Sequence, residues 1–316
     1  MVQPSDPATG GVVSYLPING TPCTLHTFTT SGDFTVVSAS PLAFNVALVG
    51  AGGGGGSYNA LSTAGGGGGG AGGYIEGRTR FGGVPTGSIF RATVGAGGPV
   101  KTSGGTTYFT NSSSGLNMAV AGGGGGGGDY TTAPSGGQQG DGIPGDQPTD
   151  TTCVTCPGAG GGGAYGIAGY KGVGGTGIHS GGTAFETQYG KYGAGGGGYS
   201  ADCQVNSSAG GQGLMILKLG YGQFICQGGF GSVPQAGVHF GDGGGGGNNS
   251  TTFLGQKGAD GVVFVWYPTP TTTTIKLYME PHQVRTQSGR NDTYKHPGRG
   301  LPSYQTEWMD ALLFGN

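Results

Sequence analysis

Asn45-Val46-Ala47-Leu48-Val49-Gly50-Ala51-Gly52-Gly53-Gly54-Gly55-Gly56 couples a short apolar strand to a run of glycine with no turn between them. Phe44, Val46 and Leu48 share one face by the two-residue repeat of an extended chain, so the first half reads as a strand with a buried side. The second half recurs, because runs of near-pure glycine occupy 52–56, 65–70, 122–128, 160–163, 195–198 and 243–247. Five of these six follow alanine (Ala51, Ala64, Ala121, Ala159, Ala194), and the first five close on Tyr58, Tyr74, Tyr130, Tyr165 and Tyr199. Such recurrence marks a structural repeat.

Glycine in a regular element costs about 0.5–1 kcal/mol relative to alanine, because the flexible chain loses more entropy on ordering. A lone run would stay as mobile as a Gly/Ser linker. Order becomes possible in the extended helix of three residues per turn and ~3.1 Å rise, which makes no internal hydrogen bonds and turns its amides and carbonyls sideways. Several such helices side by side satisfy one another's backbone groups, as burial requires. Only glycine fits where they crowd, and a helix with neighbours on every side needs glycine without interruption. The expectation is six polyglycine II helices, parallel and antiparallel, the longest pure run spanning about 22 Å at that rise.

Short β-branched or aromatic segments predict strands at 12–16, 25–28, 34–37, 44–49, 88–94, 106–110, 116–120, 214–219, 224–227 and 262–267. Several lead straight into glycine, which places a β base at one end of the helices and loops at the other. The expected fold class is mainly β, a β base combined with a bundle of polyglycine II helices. The chain then divides into an N-terminal β region at 1–49, a glycine-rich domain at 50–267, a Pro/Thr linker at 268–274 and a tail at 275–316. Within the tail, 275–279 reads as a strand and 306–314 as a short helix, with Thr306 as N-cap, Glu307 in the first turn and Gly315 as stop. Trp308 and Leu312 fall on one face of that helix, as do Met309 and Leu313. A helix this short is marginal alone, so these four residues are candidates for docking on another subunit or another copy of the chain, with packing onto their own domain as the alternative.

Composition narrows the function. Of 316 residues 81 are glycine, and charged residues make up 9 % against the ~25 % of ordinary domains. Net charge is −2 with no Lys/Arg cluster, so nucleic acid is not an expected partner. No apolar stretch approaches the ~20 residues of a bilayer crossing, and no membrane insertion is expected. Residues 1–7 show neither a basic start nor an apolar core, so no Sec-type leader is read there and export by another route, or release inside a particle, is expected.

The stretch 46–55 fits G-x-G-x-x-G after a strand, with Glu76 near the place of a ribose-binding acid, yet no helix follows to hold a pyrophosphate. The same Val-Gly-Ala-Gly-Gly string returns at 94–98, again without a helix. No P-loop, nucleophile elbow or H-E-x-x-H occurs. His26, His179, His239, His282 and His296 stand apart and read as structural or surface residues, and four glutamates offer no carboxylate pair for glycoside hydrolysis. Neither an enzyme nor a cofactor is expected. Cys153 and Cys156 form a lone CxxC, for which a local disulfide or free thiols are expected in place of a zinc site. Asp141, Asp146 and Asp150 lack the spacing of a calcium loop and read as solvated.

Two features point outward. Six of the ten asparagines begin N-x-S/T sequons (Asn19, Asn111, Asn206, Asn248, Asn249 and Asn291), candidate glycan sites if the chain is made in or displayed by a eukaryotic system. Tyr58, Tyr130 and Tyr199 either present rings at loop tips, where aromatics suit binding, or cap the bundle by packing over the last glycines.

A strand such as 45–49 entering glycine, repeated glycine runs, and closure by Gly258-Ala259-Asp260-Gly261-Val262-Val263-Phe264-Val265 resemble a family of glycine-rich domains. These occur in bacteriophage tail-fibre adhesins and other virus structural proteins, and in the extracellular region of anaplastic-lymphoma-type receptor kinases. The resemblance covers roughly 28–267 and excludes the tail. It implies a rigid platform whose loops, here 57–63, 129–157, 199–209 and 248–254, bind a cell-surface receptor or glycan, on a virion surface or otherwise outside the cell. Other structural subunits or copies of the chain would be its assembly partners. An extracellular ligand-binding module is the alternative, and an ice-binding protein a third reading that no ordered threonine array supports.

Overall fold

Residues 262–268 form a run of Val, Phe, Trp and Tyr ending in proline, with no polar face, so a strand made from it must be covered on both sides. The computed structural model describes residues 6–57, 65–79, 83–111, 116–120, 122–126, 179–183, 185–187, 190–202, 204, 206–220, 222–247 and 254–270. In chain order the strands are β1 (Ala8–Thr9), β2 (Val12–Ile18), β3 (Thr21–Phe28), β4 (Gly32–Val36), β5 (Asn45–Val49), β6 (Tyr74–Arg78), β7 (Ile89–Thr93), β8 (Thr107–Asn111), β9 (Leu116–Val120), β10 (Phe185–Thr187), β11 (Gly190–Tyr192), β12 (Leu214–Met215), β13 (Phe224–Ile225) and β14 (Val262–Pro268). One sheet has the order β1-β4-β7-β8-β9 and a second β2-β3-β14-β5-β6. Every pairing in both is antiparallel.

The alternation of β14 is read on both sides. Val263, Val265 and Tyr267 enter a core shared with Val46 and Leu48 of β5 and with Phe34, Phe90 and Phe109 of the other sheet. Val262, Phe264 and Trp266 face the opposite way, packing with Ala47, Val49, Leu219, Ile225 and Cys226. The inner core is aromatic: Phe90 stacks on Phe109 at 5.1 Å, and Phe44 meets Phe90 edge-on at 5.3 Å. Phe44, Val46 and Leu48 lie together in that core, as their spacing predicts.

The fold is mainly β, and the strands expected among the described residues are present with four differences, the first being β1, which no expected strand covers. The stretch expected as one strand at 214–219 is the two-residue β12 followed by a 3₁₀ turn, Leu217–Leu219, because Gly220 takes a left-handed conformation (φ 81°) and its N–H bonds back to Leu217 O. β6 was missed because only Ile75 on one side is a bulky apolar residue, while Tyr74, Glu76 and Arg78 occupy the other. β10 and β11 were also missed. The β2–β3 hairpin turns on Asn19 and Gly20, both at positive φ (50° and 81°), which is the type I′ geometry that suits the strand twist.

The chain divides into two units, Met1–Thr272 and Thr273–Asn316. The second, with Trp308, Met309, Leu312, Leu313 and the predicted tail strand and helix, lies outside the described residues.

Candidate functional site

β5 ends at Val49 and the chain continues without a turn into 50–56. Stripped of side chains, this segment can bond only through its backbone, and its bonding has a repeat of three. Amides 50, 53 and 56 donate to carbonyls 73, 70 and 67; amides 51 and 54 to 105 and 102; amides 52 and 55 to 259 and 256. The carbonyls repeat the pattern, with 51 and 54 accepting from 123 and 126, 52 and 55 from 98 and 101, and 53 and 56 from 244 and 247. The descending numbers mark three antiparallel neighbours that accept from the segment, and the ascending numbers three parallel neighbours that donate to it. Residues 50–56 are thus enclosed by six backbone segments.

Glycine is obligatory here for a direct reason. A methyl group built on Gly53 would strike the Gly124 carbonyl, on Gly54 the Pro99 carbonyl, and on Gly55 the Gly245 carbonyl. The amides of 50–56 all donate to protein carbonyls, so the G-x-G-x-x-G spacing at this place serves packing and presents no free nest for a phosphate.

Five of the six neighbours grow directly from the base, while 244–247 follows the separate β12–β13 pair. These five precede β6, β8 and β14 or follow β7 and β9, so the two sheets fix which of them meets which. Side chains lock the junction. The buried Thr107 hydroxyl donates to Val49 O at 2.8 Å and accepts Gly95 N–H at 3.1 Å. Asp260 accepts from Gly97 N–H at 2.7 Å and Lys257 at 2.8 Å; burial pushes its carboxyl up, but these donors outweigh it and hold it below the ordinary range. Asp242, buried at the start of the 243–247 run, accepts the backbone amides of Gln227 and His239, both at 2.9 Å. Desolvation nonetheless leaves its carboxyl raised.

Of the expected six runs, 160–163 and the end of 122–128 lie outside the described residues, while segments that are not pure glycine stand in the bundle unpredicted. Both arms of 95–105 flank the central segment, and so does 256–259. One signal was available: Gly255, Gly258 and Gly261 recur every third residue, and a methyl on Gly255 or Gly258 would strike Gly55 or Gly52. A three-residue helix needs glycine only on the side that faces inward. Pro99 fits too, since its fixed φ suits an extended helix and it needs no donor.

Tyr199 is half-buried, edge-on to Tyr74 at 5.9 Å and packed against the outer core of Trp266 and Cys226. Burial pushes its hydroxyl up. Tyr58 and Tyr130 lie outside the described residues. Asn19 and Asn206 are exposed in turns at positive φ. Asn111 is withdrawn as a glycan acceptor, because it is 4 % exposed and its amide donates to Ile89 O at 2.7 Å; the sequon counts residues and is blind to the inward face of β8. Asn248, Asn249, Asn291, Cys153 and Cys156 lie outside the described residues. Cys23 and Cys226, both described, are free and buried, and burial raises both thiols. A cavity of about 320 Å³ opens beside 236–240 and 257–261, next to exposed Val238.

A β base that extrudes laterally bonded glycine segments defines a class of scaffold in which the backbone itself is the core. The chain belongs to the glycine-rich domain family, whose model matches residues 29–268. No curated protein of similar sequence matches it.

Proposed function

We propose that the period-three segments form a polyglycine II bundle and that the chain is a non-enzymatic structural and adhesive surface protein of a virion or extracellular fibre. The observation that carries this reading is the six-neighbour environment of 50–56. A core with no side chains has no rotamers to exchange, and its amides are spent on carbonyls, so it suits a rigid body. The chain leaves the bundle at Ser57 and returns at Gly65, at the end away from the base, which is where a displayed loop belongs. The tail at 275–316 joins the body to other subunits or copies, and the loops meet a receptor or glycan.

Antibody raised against the folded body, used for immunogold labelling of particles and fibres shed by the producing culture, tests the location. Surface label is expected, and label confined to cell interiors overturns the reading. Removing 275–316 is expected to leave the melting temperature of the body unchanged while incorporation into the assembly is lost; assembly by the truncated chain overturns the role of the tail.

A further inference from the structure

Of the four edges of the two five-stranded sheets, β1, β9, β6 and β2, β2 is the longest, and β9, also uncharged, has five residues. β1 is only two residues long, and β6 carries Glu76 and Arg78. β2 is seven residues long, Val-Val-Ser-Tyr-Leu-Pro-Ile, with no charge, and forms the opposite edge of the same sheet as β6. Natural edges are blunted by shortness, charge or proline, and β2 has only Pro17 near its end. Val12 and Tyr15 are 68 % and 53 % exposed on it.

Hydrogen-bond alternation shows which main-chain groups of β2 face away from β3. The two-residue turn makes Ile18 and Thr21 a bonded pair, so bonding to β3 falls on Leu16, Ser14 and Val12. Val13, Tyr15 and Pro17 therefore direct their main-chain groups away from β3. Pro17 and Pro22 face each other in this ladder, where neither needs an N–H, which agrees with the phase. Pro22 turns its carbonyl the other way, to Thr269 N–H at 2.9 Å.

We propose that β2 is a homodimer edge, pairing antiparallel with β2 of a second copy about a two-fold axis at Ser14. That register sets Val13 against Tyr15 of the partner subunit and Tyr15 against Val13 of the partner subunit, so the outward amides and carbonyls of both residues bond reciprocally. The two five-stranded sheets become one continuous sheet. A second copy fits better than an acidic peptide because β2 itself carries no charge and Asp6, the carboxylate beside it, accepts the Tyr15 hydroxyl at 2.7 Å, so an acidic partner would be repelled where a second β2 would not. The pairing consumes the edge, so the assembly closes at two. This interface is separate from the tail and does not depend on the proposed location.

Ser14 is exposed and lies on the axis, so its substitution tests the pairing without touching the core. Sedimentation of the full chain over a wide concentration range is expected to show a reversible monomer–dimer equilibrium. Ser14→Lys, which sets like charges across the axis, is expected to weaken dimerisation about tenfold or more with an unchanged melting temperature. An equimolar mixture of Ser14→Lys and Ser14→Glu chains is expected to regain the dimer. A natural chain that stays monomeric throughout, a Ser14→Lys dimer as tight as the natural one, or a mixture that fails to pair each overturns the proposal. Tyr15→Pro, which removes an outward N–H and leaves the β3 ladder intact, is expected to weaken the dimer as well; a dimer of undiminished strength counts against the edge.

Discussion

The β base and the glycine bundle follow opposite rules within one chain. In the base, Phe34, Phe90, Phe109, Leu48 and Tyr267 are fully buried, and cohesion comes from apolar area removed from water. In the bundle, 52–56 are equally buried, yet they bring almost no apolar area and are held by N–H···O=C bonds of 2.8–3.1 Å. Each such bond contributes only about 1 kcal/mol net, but a buried backbone group left unpaired costs ~1–3 kcal/mol. The bundle is therefore stable only when it is complete. Removing atoms should damage the base, and adding them should damage the bundle.

The largest effect is expected from the smallest addition. Gly54→Ala places a methyl against the Pro99 carbonyl where six backbones leave no room, and a loss of about 4 kcal/mol or more is expected in urea unfolding. A variant within ~1 kcal/mol of the natural chain would break the comparison, since overpacking that forces backbone to move typically costs about 1–3 kcal/mol and occasionally more. Next comes the reverse operation in the base, where Phe34→Ala should cost about 3–5 kcal/mol through lost burial and a cavity.

Thr107→Val sharpens the comparison because Thr107 sits where the two regions meet. The change keeps the volume and deletes the hydroxyl that serves Val49 O and Gly95 N–H, so a loss of about 1–3 kcal/mol is expected. Hydrogen exchange should quicken at Gly95, and uniform protection across both regions would refute the junction role.

The mildest prediction belongs to the base alone. His26 is fully buried, with Nδ1 on Gly10 O at 2.7 Å and Nε2 on the Tyr267 hydroxyl at 2.8 Å. Desolvation lowers its pKa, although the Gly10 carbonyl opposes this. The unfolded chain, with an ordinary value of about 6.5, then binds the extra proton first, so stability is full above that pH and falls as acid is added, by at most ~1.4 kcal/mol per pH unit. Melting temperatures at neutral and mildly acid pH should diverge more for the natural chain than for His26→Gln, and equal slopes would remove His26 as the cause.

The strands of the base were legible because apolar residues at two-residue spacing, as in Phe44, Val46 and Leu48, share a face of an extended chain, and a short run apolar throughout, as in 262–267, suits a strand covered on both sides. The first glycine run was legible for the complementary reason, since a segment with no side chains has only its backbone to offer. Less visible were 98–105 and 256–259, where Pro99, Val100, Lys101 and Lys257 conceal bundle segments behind ordinary side chains. Asp242, Asp260 and Thr107 carried no sequence signal at all, because a polar residue that satisfies a backbone amide looks the same in sequence as one that faces water.

The chain's sequence by itself determined that glycine segments must bond sideways and that apolar strands must support them, because entropy and backbone polarity leave no other stable use for such runs. Only the tertiary structure decided which segments enclose 50–56, that Asn111 turns inward and that Tyr199 packs beside Tyr74 on the outer core. Those outcomes depend on the order of strands in two sheets, and that order rests on contacts between residues far apart in the chain, which no local pattern encodes.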